Sequence, residues 1–168
     1  ELREAGVEIY AFLPVVLPFI TSKVNYRNHR KIVVVDGKVA FMGGLNIGDE
    51  YLGKDPQLGV WRDTHLQVYG DAVYVLQAIF FMDWAFVKKE SHFRLEEDIY
   101  FPAHNEQERQ FVQIAASGPD SEWETIMQVY FAAVASATKS VHITSPYFIP
   151  DDSILMAIKT AALSGIDV

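Results

Sequence analysis

A chain of 168 residues, half of them hydrophobic, is long enough for one domain or two small ones with a buried core. Its net charge of −8 argues against a generally basic nucleic-acid surface, and the absence of cysteine excludes disulfides and thiolate metal sites. No run of about 18 apolar residues occurs, so no segment is expected to span a membrane.

The first 30 residues predict a helix end, a strand and a loop. Gly6 is placed to stop a helix, and the apolar alternation over residues 7–12 predicts a strand. Pro14 and Pro18 predict a loop after it. Four basic residues in and after this loop have no acidic residue among them. In a protein that is acidic overall, this local positive charge fits the binding of an anionic substrate. The alternative is a solvated cluster of charges. The four basic residues are Lys23, Arg27, Arg30 and Lys31.

A β-hairpin is predicted next. Residues 31–35 form an apolar, β-branched run, typical of a strand buried on both faces. Asp36-Gly37 is a two-residue hairpin turn signal, and residues 38–42 return as the partner strand. The glycines at 43 and 44 end that strand and allow close approach of the backbone.

Three polar side chains at one end of this hairpin suit phosphodiester chemistry. If the segment is extended, His29 and Lys31 share a face with Cα atoms about 7 Å apart. They supply a nucleophile or base beside a positive charge, and Asn46 adds an amide donor for an anionic oxygen. His-x-Lys alone is weak evidence, because a histidine near a strand start is usually a surface or structural residue.

The longer spacing pattern is more specific. It resembles the HKD signature of the phospholipase D superfamily, H-x-K-x4-D-x6-G-G-x-N, at every defined position. Those positions are His29, Lys31, Asp36, Gly43, Gly44 and Asn46.

The middle of the chain predicts a strand, a helix and a linker. Residues 47–52 favour a short helix or turn, residues 53–59 a loop, and residues 61–68 lead into a strand. A helix over 72–87, capped by Asp71, is apolar on most sides; core packing is favoured over a partner or membrane surface. The polar residues 88–110 predict an irregular linker, with His92 and His104 on the surface.

A second unit follows. Its predicted elements are a strand over 111–116, a turn over 117–120, a helix from a Ser121–Glu124 capping box to about Ala137, a strand over 141–144, a helix capped by Asp151 or Asp152 that ends near Gly165, and a strand opening at 166–168. Alternating strands and helices predict an α/β fold with a mixed sheet flanked by helices.

Beyond the motif, the chain looks like the bacterial cardiolipin synthases of the phospholipase D type. The matching phrases are NYRNHRKIVVVDG, GGLNIGDEYLGKD, WRDTHLQVYGDAVYVLQ, SGPDSEWETI and TSPYFIPDDSIL. The resemblance implies a phosphatidyltransferase that joins two phosphatidylglycerol molecules into cardiolipin and releases glycerol. It implies no cofactor, metal or nucleic acid, anionic phospholipid as substrate, and a full-length protein at the cytoplasmic membrane.

The resemblance also implies roles for single residues. His29 is the nucleophile that forms a phosphohistidine, Lys31 and Asn46 hold the non-bridging oxygens, and Asp36 supports the hairpin. Gly43 and Gly44 bring backbone close to the phosphate. Asp63 orients the imidazole; the alternative is a strand-start residue or an ion pair with Arg62. Tyr147 lines the cleft, unless it only ends a strand.

The resemblance further implies two repeats, each with one HKD motif. Residues 1–89 would be the C-terminal part of the first, 90–110 a linker, and 111–168 the N-terminal part of the second. No other histidine is followed by a lysine two residues later, so the chain alone is expected to be an inactive fragment. The alternatives are a single-motif phosphodiesterase or nuclease acting as a homodimer, and a non-catalytic folded module.

Overall fold

A computed structural model of the protein describes residues 1–12, 28–89, 97–105, 110–118, 121–145 and 147–168. The chain divides into two compact units, Glu1–Ile114 and Ala115–Val168. The described residues combine a three-stranded sheet with helices, which confirms the predicted α/β class, but this sheet is antiparallel and not mixed as predicted. The predicted loop at Pro14 and Pro18, the lysine at 23, the arginine at 27 and His92 lie outside the described residues.

The predicted hairpin is present in the first unit. Strand β1, Ile32–Val35, pairs antiparallel with strand β2, Val39–Gly43. Asp36 and Gly37 have φ angles of 54° and 64°, and Lys38 N–H donates to the Val35 carbonyl at 3.0 Å to close the turn. Because Val35 pairs with Val39, Lys38 is left outside the ladder and β2 begins one residue later than predicted.

Strand β1 is not buried on both faces, and that prediction is wrong. Ile32 and Val34 pack against the core, whereas Val33 is 52% exposed and Val35 44% exposed. In an antiparallel hairpin, alternate side chains face opposite sides, and a helix covers one side here. The β-branched run therefore predicts the strand correctly but does not indicate whether one or both of its faces are buried.

A third strand and a long helix complete the layer that carries the hairpin. Strand β3, His65–Tyr69, pairs with β2, which gives the strand order β1-β2-β3. Helix α1, Ala72–Lys88, packs Val73 and Leu76 against Ala40 of β2. Both elements confirm the prediction, and Asp71 does precede the helix, but its side chain makes no capping hydrogen bond.

Residues after α1 pack on the first unit instead of forming an irregular linker throughout. A short helix α2, Glu97–Tyr100, lies there. The Tyr100 carbonyl accepts from Gln77 Nε2 at 2.9 Å, and the Pro102 carbonyl accepts from the Tyr74 hydroxyl. His104 is half-buried with its ring 4.5 Å from that of Tyr74, so its prediction as a surface residue is wrong.

Two predicted strands do not form ladders among the described residues. Residues 7–12 follow a single turn that ends at Gly6, and their aromatic side chains pack on α1 instead, with Tyr10 and Trp84 ring centroids 5.0 Å apart. Residues 111–116 are also without a ladder, while Ile114 packs against the core of the first unit. Apolar alternation indicates a half-buried extended segment, but a strand also needs a neighbour to pair with.

Two helices form the core of the second unit. Helix α3, Thr125–Ala135, contributes Val134, and helix α4, Asp152–Leu163, contributes Ala157 and Ala161. The predicted capping box is absent: α3 begins after Glu124 without a side-chain cap, and Ser121 Oγ donates to the Trp123 carbonyl at 2.9 Å.

The start of α4 and the segments beside it follow the prediction more closely. Asp151 is the N-cap, and its carboxylate accepts from Ser153 N–H at 2.8 Å and Ile154 N–H at 2.9 Å. The two predicted strands of this unit are reduced to one parallel bridge, between Ser140 and Asp167. Within the described residues, no helix has the length and hydrophobicity needed to cross a lipid bilayer.

Candidate functional site

The motif histidine and lysine lie just before β1. The Lys31 ammonium donates to the backbone carbonyl of His29 at 2.9 Å, which holds the lysine side chain against its neighbour two residues back. The imidazole of His29 is exposed and makes no hydrogen bond to any described residue. The segment therefore presents an exposed imidazole on a residue whose backbone carbonyl is held by the neighbouring ammonium group.

The motif asparagine lies on the same end of the sheet, after β2. Its side-chain amide donates to the hydroxyl of Tyr51, which follows in a 3-10 turn, Asp49–Leu52. The Tyr51 ring in turn packs edge-on against Trp61, with centroids 5.0 Å apart. Asn46 is thus tied, through one tyrosine, to the segment that leads into β3.

Two glycines bring this end of β2 close to β3. Gly43 pairs with His65, and Gly44 N–H donates to the Thr64 carbonyl at 3.2 Å. This bond makes Gly43 and His65 a non-hydrogen-bonded pair, the type in which opposite residues are closest. A Cβ on Gly43 would lie 2.6 Å from both Cα and Nδ1 of His65, and one on Gly44 would collide with the Asp63 carboxylate.

Gly43→Ala is therefore expected to destabilise the protein. The added methyl group meets the backbone of residues 64 and 65, which cannot move without disturbing the ladder, so we expect a loss of about 2–3 kcal/mol in the free energy of unfolding. Denaturant unfolding measures it. Gly48→Ala is the matched control, because its new methyl group meets only the flexible Glu50 carboxylate. Equal stability of the two variants would contradict the packing described here.

Asp63 lies beside these glycines. Its carboxylate accepts from Trp61 Nε1 at 3.2 Å and from Thr64 N–H at 2.7 Å. Among the described residues it makes neither a hydrogen bond to His29 nor an ion pair with Arg62. The structure thus brings Asp63 to Gly44, and its role toward the imidazole stays a prediction.

The remaining predicted site residues lie elsewhere. Asp36 is in the turn at the other end of β1 from His29, and its role in supporting the hairpin stays a prediction. Tyr147 belongs to the second unit, where its ring is 78% exposed and its backbone N–H donates to Ser145 Oγ at 3.1 Å. Its place in a cleft stays a prediction.

The cavity described in the first unit lies away from the motif histidine and lysine. A cavity of about 610 Å³ in the first unit lies between β1 and α1 and is lined by Phe80, Trp84 and Tyr100, with Asp36 and Gly37 at its edge. His29 and Lys31 do not line it. Within the described residues, no three His, Cys, Asp or Glu side chains are grouped as metal ligands.

Sequence reasoning missed two residues that contact the motif segment. Asp83 of α1 binds Asn28 and Arg30, the residues on either side of His29. A lone carboxylate among aromatic residues in α1 was the available signal. His65 was missed as well; its Nδ1 is buried against Gly43 and has no partner among the described residues.

Comparison with known proteins shows which proteins the chain is similar to. No protein-family model matches it, and no solved structure does. It is 58% identical to a cardiolipin synthase of Halalkalibacterium halodurans and 55% identical to one of Geobacillus thermodenitrificans, in both cases over all of the chain and 33% of the relative. A cardiolipin synthase of Staphylococcus aureus is 51% identical over 99% of the chain and 33% of the relative.

The fold is thus that of an α/β protein, and the matched relatives carry the name cardiolipin synthase. The chain is similar to these bacterial cardiolipin synthases over its whole length, which confirms the resemblance seen in the motif phrases. It spans about a third of the length of the curated relatives that it matches.

Proposed function

We propose that the chain carries one nucleophilic half of a phosphatidyltransferase site that makes cardiolipin from two phosphatidylglycerol molecules. The observation that carries this proposal is the exposed His29 imidazole, which has no hydrogen bond to a described residue, on a segment whose backbone carbonyl contacts the Lys31 ammonium, in a chain 58% identical to a cardiolipin synthase. We further propose that it works as part of a protein of its relatives' length, at the cytoplasmic membrane where its lipid substrate resides.

The first half of the reaction is a displacement at phosphorus. A neutral ring nitrogen of His29 attacks the phosphorus of one phosphatidylglycerol. A P–N bond forms, the P–O bond to the headgroup glycerol breaks, and the glycerol leaves with a proton from a general acid. The product is a phosphatidyl group on His29, a phosphohistidine intermediate.

The second half of the reaction regenerates the free histidine. A hydroxyl of the second phosphatidylglycerol attacks the same phosphorus and passes its proton to the group that served as acid. The P–N bond breaks, cardiolipin is released, and His29 is neutral again. Exchange of one phosphodiester for another needs no oxidant or cofactor.

Lys31 and Asn46 stabilise the charge on the non-bridging oxygens. Both side chains are polar donors at the same end of the sheet, and each is now engaged with a neutral oxygen, the His29 carbonyl and the Tyr51 hydroxyl. An anionic phosphate is a stronger acceptor than either, so it displaces these contacts when it binds. Backbone near Gly43 and Gly44 comes close to the same phosphate.

Asp63 acts as the carboxylate that orients the imidazole. The position of Asp63 supports this role: it lies against Gly44, at the end of the sheet where β1 begins and from which the motif histidine is reached. A carboxylate on one ring nitrogen fixes the tautomer of the other.

Product analysis with the full-length protein tests the proposed function. Vesicles of phosphatidylglycerol should yield cardiolipin and free glycerol in equal amounts, without added metal. Phosphatidic acid in place of cardiolipin would mean hydrolysis instead of transfer. Cleavage of DNA by a dimer, with phosphatidylglycerol left intact, would contradict the proposal.

A further inference from the structure

One carboxylate in α1 holds the two residues that flank the motif histidine. Asp83 Oδ1 accepts from Arg30 Nη1 at 2.7 Å, and Asp83 Oδ2 accepts from the same nitrogen at 2.9 Å and from Asn28 Nδ2 at 2.8 Å. The Asn28 side-chain oxygen accepts from the Arg30 backbone N–H at 2.9 Å. Asn28, Arg30 and Asp83 therefore form a closed ring of contacts around His29.

The ion pair in this ring is better shielded than the others that the described residues form. The side chains of Arg30 and Asp83 are 32% and 21% exposed, whereas the pairs Lys54–Asp49 and Lys88–Glu8 each have at least one side chain that is 64% exposed or more. Shielding from water strengthens a charge pair, and hydrogen bonds from two residues to one carboxylate fix its orientation.

The segment that carries His29 lies outside the strand ladders. Residues 28–30 precede β1, and in the part of the chain that the structure describes no backbone-to-backbone bond outside the strand ladders reaches them. Asp83, by contrast, lies on a helix whose Val73 and Leu76 are fully buried under the sheet. The ring thus connects a segment outside the ladder to a rigid support.

We propose that Asp83 is a positioning residue for the nucleophile: through Asn28 and Arg30 it fixes the backbone of His29 at the distance and angle that attack on phosphorus requires. This inference rests on the proposed function. A misplacement of the reacting atoms by about 1 Å costs on the order of 10²-fold in rate. The contribution of Asp83 is therefore expected in turnover, because it does not touch the substrate.

Steady-state transfer by the full-length protein tests this inference with Asp83→Asn. We expect kcat to fall about 10–100-fold while KM for phosphatidylglycerol in vesicles stays within about twofold. Asp71→Asn is the matched control, because it removes the same charge from the same helix and Asp71 makes no side-chain capping bond. It should leave both constants unchanged.

A second set of variants separates positioning from folding. Asn28→Ala removes one side of the ring from an exposed residue and should lower kcat with an unchanged melting temperature. In the double variant Arg30→Gln with Asp83→Asn, we expect the losses to be less than additive, because both act through one contact. Unchanged kcat in both Asp83→Asn and Asn28→Ala would overturn the inference.

The variants distinguish a failure of this inference from a failure of the proposed function. If His29→Ala abolishes transfer while the Asp83 and Asn28 variants turn over normally, only the positioning role is wrong. If His29→Ala is itself active, the nucleophile has been misassigned and the proposed function fails first. If Asp83→Asn both lowers kcat and unfolds the protein, the result for Asn28→Ala decides. A lowered kcat in that variant supports the positioning role, and an unchanged kcat overturns it.

Discussion

His29→Ala is expected to lower kcat for cardiolipin formation by at least about 10⁴-fold in the full-length protein. Alanine at this position has no side chain that can form the bond to phosphorus. The fold should survive, because the ring is exposed and makes no hydrogen bond to a described residue. Labelled phosphatidylglycerol in vesicles and thin-layer separation of the products measure the change.

A histidine outside the motif is the control for this result. His142 is also exposed and lies in the second unit, so His142→Ala should retain the activity of the parent. Circular dichroism of both variants should match the parent. Activity of His29→Ala within about tenfold of the parent would reject its role as nucleophile, whatever the motif spacing suggests.

Lys31→Met is expected to lower kcat by about 10²–10³-fold, the usual effect of removing one donor to a charged transition state. Methionine keeps the length and apolar stem of the lysine, so the change removes little except the ammonium group. Lys31→Arg should recover only part of the activity, since a planar guanidinium does not reproduce a compact ammonium group. Rates at saturating phosphatidylglycerol separate kcat from KM.

A second lysine of the hairpin provides the control. Lys38 is exposed in the turn at the far end of β1, so Lys38→Met removes the same charge without approaching His29. It should leave kcat unchanged. If Lys31→Met raises KM and leaves kcat intact, the ammonium group binds substrate and transition state equally and does not act in the chemical step.

Local signals in the sequence were enough to predict the hairpin and the capped start of α4, but not the caps expected at α1 and α3. Asp36-Gly37 supplies two adjacent left-handed residues, and Asp151 caps α4 with its own carboxylate. The burial of the two faces of β1 depends instead on which elements pack over each face, and the four residues of the strand do not indicate this. The strands predicted at 7–12 and 111–116 failed for a similar reason, because pairing requires a neighbour far away in the sequence.

The candidate site likewise contains residues that local spacing predicts and residues that only long-range packing brings together. Fixed spacing identified His29, Lys31 and Asn46, which lie within 18 residues of one another and on one end of the sheet. Asp83 lies 53 residues beyond Arg30, and its contact exists only because α1 packs under the sheet. His65 reaches Gly43 through the register of β3, which no spacing rule in the motif contains.

The identity of the residue that carries the phosphatidyl group tests the account most directly. Full-length protein is mixed with phosphatidylglycerol labelled in its phosphate, quenched within one turnover, digested and mapped by mass spectrometry. We predict an acid-labile phosphatidyl adduct on His29, absent from His29→Ala and chased into cardiolipin by a second addition of phosphatidylglycerol. An adduct on another residue of this chain, or full turnover of the His29→Ala variant, would contradict the account.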